Sequence, residues 1–241
     1  PVYIEKYKML VFASDRPGGY GGMDLYYSKY ENQTWSEPVV TRIPGHEGPV
    51  LIFGGGYDNG IYDAIQYQAP TSSLLGKAIY IVDAKTGDLI HSFTYDGSNG
   101  GTAVTGMNHS IVTAVSPLDS VNDGRTDRFY ATDVGGNVWR FDLPSSDKST
   151  WSGYKFASIG GGHEALNRRF FAEASVAQTV FSNTSEIIFN EQKITAVQNV
   201  PYDAVAVGSG NRSHPLDVVT NDMFYVFQDR NVKTKTLTGD N

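Results

Sequence analysis

The stretch "DRFYATDVGGNVWRFDL", Asp127 to Leu143, decides the fold of this chain. Phe129 to Thr132 read as one strand, because aromatic and β-branched side chains suit a pleated, half-buried surface. Asp133 to Gly136 supply the positive-φ positions of a tight turn, and Asn137 to Phe141 return as the partner strand. The same unit, a short apolar strand, a Gly- or Asp-containing turn and a second strand, recurs in "MLVFASDRPGGYGGMDLYYSK", "VLIFGGGYDNG", "AIYIVDAKTGDLIHSF", "DAVAVGSGNR" and "MFYVFQDRN". In the third of these, Asp83 and Thr86-Gly87 form the turn between strands at Ala78 to Val82 and Asp88 to Phe93.

The centres of these units lie about 25 to 70 residues apart, an uneven spacing that suits blades carrying insertions better than a strict solenoid. The expectation is an all-β chain forming an open or partial β-propeller. Composition agrees. The 241 residues are 40% hydrophobic and 12% aromatic, enough for a sizeable core, and the 26 glycines serve many tight turns. A net charge of −7 argues against a nucleic-acid partner, which needs clustered Lys and Arg to displace counterions. The sequence contains no apolar run of the roughly 20 residues that a membrane-spanning helix requires. Without cysteine there are no disulfides, no thiolate zinc ligands and no thiol nucleophile. The chain starts at Pro1 with neither Met nor leader, so it reads as a piece of a longer protein, residues 1–241 forming one propeller domain.

Two segments break the pattern. Residues 145–198 show few clean alternations and read as including either a long loop or a short helix around Glu164 to Arg169. Residues 57–76, "YDNGIYDAIQYQAPTSSLLG", form a polar insertion ending in small residues. Insertions of this kind are often the surfaces through which a scaffold acts.

The acidic run ahead of the opening hairpin carries the candidate site. With Asp119 as position 1, Asp123 falls at 5, Gly124 at 6, Arg125 at 7 and Asp127 at 9, the spacing at which an oxygen-rich loop wraps calcium. Asp119, Asp123 and Asp127 would supply carboxylates, Arg125 its backbone carbonyl and Gly124 the bend. Three carboxylates in nine residues repel one another unless a cation offsets them. Position 3 is Val121, which offers only a backbone carbonyl, and position 12 is Tyr130 rather than Glu. The competing reading is a solvated Asp/Asn/Gly turn, which the same composition also makes.

Other motifs read as structure. His46, His91, His109, His163 and His214 show no metal-ligand spacing and no triad context. "FGGGYDNG" is followed by no Lys-Ser/Thr and its flanks read as strand and turn, so its glycines read as close blade packing rather than a phosphate cradle. Arg168 and Arg169 beside Phe170 and Phe171 read either as a contact patch or as cations over aromatic rings. "GSGNRSHPLD" around Arg212 and His214 reads as a polar turn fixing a blade end.

The series "TWSEPVV", "FGGGYDN", "GKAIYIVDAKTGDLIHSF", "VNDGRTDRFYATDVGGNVWRFDL", "NRRFFAEASVA" and "GSGNRSHPL", from about Trp35 to Asn231, resembles the C-terminal domain of the type IV pilus tip-associated PilY/PilC proteins. The resemblance implies a modified seven-bladed or partial propeller of the quinoprotein kind, without enzymatic activity, in an exported protein of a Gram-negative bacterium, at the pilus tip, cell surface or outer membrane. It implies roles in pilus assembly, control of retraction and adhesion, with pilus subunits such as minor pilins, the pilus machinery and a host-surface ligand as partners. It also implies Ca2+ as cofactor, with the family's calcium loop falling on Asp119, Asp123 and Asp127 and the main chain of Arg125.

Residues 9–39, "MLVFASDRPGGYGGMDLYYSKYENQTWSEPV", resemble instead a TolB-like propeller repeat, which implies as the alternative an envelope scaffold linked to peptidoglycan-binding proteins. "DAKTGDLIHSF" resembles the repeat of quinone-dependent dehydrogenases. The disulfide that usually accompanies that chemistry is impossible here, so the repeat reads as blade structure with Asp83 and Thr86 bonding turn amides.

Overall fold

The computed structural model describes residues 2–4, 9–14, 24–31 and 34–35 by their backbone, and residues 39–63, 72–189 and 192–237 in full apart from the Glu164 side chain. Most of the TolB-like turn "SDRPGGYGG" and the middle of the 57–76 insertion lie outside the described residues. The first strands, β1 (Val2–Ile4), β2 (Met9–Ser14), β3 (Asp24–Glu31) and β4 (Thr34–Trp35), pair in that order as an antiparallel meander.

A five-stranded sheet follows, built from β5 (Val39–Thr41), β6 (Val50–Gly54), β7 (Ala78–Asp83), β8 (Leu89–Thr94) and β9 (Thr102–Ala103), with one helical turn, α1 (Asn59–Tyr62), between β6 and β7. Its ladders are antiparallel except for β9, which runs parallel to β8. The third sheet is the meander β10 (Ser116–Leu118), β11 (Arg128–Thr132), β12 (Asn137–Asp142) and β13 (Ser152–Ser158). The last has three strands, β14 (Ser175–Phe189), β15 (Gln192–Gly208) and β16 (Phe224–Asp229). The all-β expectation holds. A closed ring of blades is not seen among the described residues.

The β11–β12 hairpin is the middle layer of a stack. Every residue of both strands is buried, so its alternation sorts side chains between two interiors rather than between core and water. Phe129, Ala131, Trp139 and Phe141 pack with Val50, Ile52, Ile79, Ile81 and Phe93 of the five-stranded sheet. Phe129 lies flat on Phe141 at 4.8 Å between ring centroids, and Phe93 meets Phe141 at 4.9 Å. On the other face Tyr130 and Val138 pack with Phe170, Val205 and Val207 beside the last sheet. Three successive sheets are thus layered face to face around the β11–β12 hairpin.

Its turn is tighter than composition suggests. Among Asp133 to Gly136 a positive φ occurs only at Gly136, at 79°. Asp133 is instead the anchor: its carboxylate accepts from the amides of Gly135 and Asn137, the Asn137 side chain and the Trp139 indole. The Asp83 turn follows the reading: Asp83 accepts from the Lys85 and Thr86 amides, Thr86 Oγ1 from that of Asp88, and Gly87 takes a φ of 78°. The glycine motif also serves close approach. A Cβ on Gly54 would lie 2.4 Å from the Ile111 carbonyl oxygen, while the Gly55 and Gly56 amides bond to Ala78 and Ile111.

The irregular segment requires a correction. A short 3-10 turn does occur at Glu164–Leu166, but much of the remainder is β13 and the long strand β14, paired with β15 from Ser175 to Phe189. Along β14 both faces are largely exposed. A strand with no buried face leaves no period-two hydrophobic pattern to read.

Candidate functional site

The acidic loop connects β10 to β11. Asp119 grips it from one end, Oδ1 accepting from the Asp123 amide at 3.1 Å and Oδ2 from the Gly124 amide at 2.7 Å. Asp123 Oδ1 accepts from the Arg125 amide at 3.0 Å. The bend uses left-handed backbone at Asn122 (φ 58°) and Gly124 (φ 81°), conformations that Asn and Gly tolerate best. Gly124 therefore fills its expected role.

Asp127 stands apart from the other two carboxylates. It is buried, with Oδ1 accepting from the Ser120 amide and Oδ2 from the Ser120 hydroxyl at 2.7 Å. Val121 is 66% exposed and Arg125 is exposed, so both lie on the open side of the loop. Among the described residues no three acidic or histidine side chains converge on one point. In chemistry the set fits calcium, since every donor is a hard oxygen and the Asp119 grip preforms the bend. Asp127 could join a shared ion only by giving up Ser120.

Beyond Asp127 the loop touches a buried ionic junction that sequence reasoning missed. Ser120 Oγ lies 3.1 Å from Thr234 Oγ1, which also accepts from Arg128 at 3.1 Å. Arg128 is fully buried and forms an ion pair with Asp203 of β15. Next to it, Arg140 holds Asp142 and Asp229 at 2.7 Å each, and Tyr130 donates to Asp203 and Asp229. Asp142 and the neighbouring Asp229 keep the Arg140 guanidinium charged against the cost of burial. Burial, helped by Asp229 and Asp203, raises the Tyr130 phenol far above its ordinary range, so it stays a donor. The junction ties β11 and β12 to the base of the last sheet. A charge at alternate positions of an otherwise apolar pair of strands was the available signal.

The "GSGNRSHPLD" turn lines an open recess of about 400 Å³ with Phe171, Ala172 and Asp222. Asp217 caps the turn through the Val219 amide and the Thr220 hydroxyl. Arg169 is buried over the Tyr62 ring at 5.3 Å and donates to the Tyr62 carbonyl. Arg168 lies 5.9 Å from the Tyr225 ring centroid and donates to the Asn221 carbonyl. Of the two readings for this pair, cations over rings describes the geometry, although the rings are tyrosines distant in sequence. His109 bonds to Tyr62, and burial lowers its pKa.

No family model matches the chain. A type IV pilus biogenesis factor PilY1 homolog of Xylella fastidiosa is 31% identical over 122 residues, which are 49% of this chain and 7% of that protein. The crystal structure of the Pseudomonas aeruginosa PilY1 C-terminal domain aligns over 88% of this chain and 44% of its own, with a TM-score of 0.48 and 16% identity. Over about half its length, then, this chain is similar to a PilY1-type pilus biogenesis factor, of which it spans a small part.

Proposed function

We propose that this chain is a non-enzymatic β-sheet module of an exported type IV pilus biogenesis factor in a Gram-negative bacterium, acting at the pilus tip, cell surface or outer membrane. The observation that carries the reading is the 31% identity to the PilY1 homolog over 122 residues. The face-to-face layering of successive sheets supports a modified or partial propeller array, in which each sheet serves as a blade. Pilus subunits such as minor pilins, or the pilus machinery, are the partners in assembly and in control of retraction, and a host-surface molecule is the partner in adhesion. Removing the coding segment for residues 39–237 from the genome is expected to abolish surface pili in electron micrographs. Unchanged piliation overturns the pilus reading.

Calcium belongs to the same proposal. Asp119, Asp123 and Asp127 would hold it by their carboxylates, with the main-chain carbonyls of Val121 and Arg125 completing the oxygen set. The ion supplies positive charge that offsets repulsion among the carboxylates. Asp119 orients the loop by fixing the amides of Asp123 and Gly124, and release of Ser120 by Asp127 is the local rearrangement that binding requires. Calorimetric titration should show calcium-dependent heat and a raised melting temperature that an Asp123→Ala/Asp127→Ala variant lacks. Identical behaviour of the two proteins removes calcium from the proposal.

A further inference from the structure

The β14–β15 arm extends well past the rest of its sheet. β16 pairs with β15 only from Asp203 to Gly208, whereas β14 pairs with it along the whole of Gln192 to Ala206. Among the described residues, Gln192 to Tyr202 therefore carry a ladder on one side and none on the other. Open edges of this kind invite a further strand, and proteins normally blunt them with charges, prolines or bulges. Here Lys193 and Pro201 stand at the two ends, while "ITAVQN" between them holds no charge, proline or register shift.

Pro201 also fixes which amides look outward. It has no N–H, so it sits in a paired strand without loss only where that side faces away from the ladder. Backbone groups alternate along an antiparallel strand, so Lys193, Thr195, Val197 and Asn199 present their N–H and C=O groups to the open edge, in line with the β15–β16 ladder.

The side chains beside the edge define what would fit. Directly paired residues share a face, so Ile187 with Ile194 and Phe181 with Val200 lie on one face, and Thr184 with Val197 on the other. Ile187, Phe189, Val197 and Phe181 are between 46% and 63% exposed. From Ser175 to Tyr202 the charged residues are Glu186, Glu191 and Lys193, and Glu186 and Lys193 neutralise each other at 2.7 Å. A charged partner would gain no counter-charge along "ITAVQN".

We propose that this edge, Lys193 to Asn199, is a docking site for a β-strand of another protein, uncharged and with aliphatic or aromatic side chains at alternate positions, added to the sheet in continuation of β16. Main-chain bonds would supply register and the Ile187–Ile194 face the apolar contact, as in other strand-addition complexes. The inference rests on the arm alone and stands or falls independently of the pilus and calcium readings.

The probe is an end-blocked decapeptide of alternating Thr and Val, added to the 241-residue chain and followed by amide hydrogen exchange. The expected result is at least tenfold slower exchange at Lys193, Thr195, Val197 and Asn199, with Asp203 to Gly208 unchanged. Val197→Pro, which removes one outward donor, should abolish the effect, whereas Val197→Thr should keep it; protection of Asp203 to Gly208 verifies that both variants remain folded. Absence of slowing in the parent chain overturns the proposal, as does slowing that Val197→Pro retains. Slowing that appears without peptide and grows with protein concentration overturns the choice of partner in favour of a second copy of the chain.

Discussion

Asp133 shows how much one side chain can decide at the scale of a residue. It is fully buried and satisfies two backbone amides, an Asn side chain and an indole N–H at once. Asp133→Ala would strand these donors in an interior closed to water, and unsatisfied buried groups cost on the order of 1–3 kcal/mol each before partial relaxation. Chemical denaturation should show a loss of about 3 kcal/mol, with quenching of Trp139 fluorescence altered in the folded state. The sequence marked Asp133 as a turn residue because Asp-Val-Gly-Gly is turn chemistry. Its anchoring role depends on the indole of Trp139 returning across the hairpin, which residue type alone does not state. The bend at Gly124 was legible in the same way, from spacing. The turning of Asp127 toward Ser120 was not, because it depends on where β10 delivers Ser120.

At the scale of elements, the β6 glycines and the β14–β15 arm are opposite cases. Gly54 was readable as a site of close packing, and the Ile111 carbonyl is what it packs against. Gly54→Ala would force β6 away from that carbonyl, and overpacking of this kind costs about 1–3 kcal/mol. The measurement is a denaturation midpoint, and the expected outcome is a lower midpoint with an unchanged slope. The β7–β8 and β11–β12 hairpins emerged within a residue or two of their expected bounds, since buried faces and Asp/Gly turns mark both ends. The arm left no such mark. Its residues face solvent on both sides, so β-propensity remained without periodicity, and pairing with β15 came from tertiary continuity with the buried end of that strand.

Across the whole molecule, the layered sheets create interiors that charge must enter on their terms. His91 is buried against Phe93 and Trp151 with centroids at 4.9 and 5.0 Å, and its Nε2 lies 3.0 Å from Thr102 Oγ1. Burial, with a smaller contribution from Lys148, pushes its pKa down from 6.5 to about 4. The folded state therefore holds a neutral imidazole, whereas the unfolded chain takes up a proton near 6.5. The stability this provides is complete above that value and falls as pH drops toward 4, by on the order of 3 kcal/mol. Between pH 6.5 and 5, where few carboxylates titrate, urea unfolding should show a pH slope that His91→Leu flattens. An unchanged slope in the variant would place the proton uptake elsewhere.

By itself the sequence determined the β class, the hairpin turns, the glycine contacts and the spacing of the acidic loop. These are local: each depends on backbone preferences and side-chain chemistry acting over a few residues. Only the tertiary structure decided that β11 and β12 are buried on both faces, that Arg128 and Arg140 meet Asp203 and Asp229 beneath the acidic loop, and that β15 outruns β16 to leave an open edge. Those outcomes join residues tens of positions apart, and burial selects them because a charge or a strand edge is stable only where its partners are brought to it.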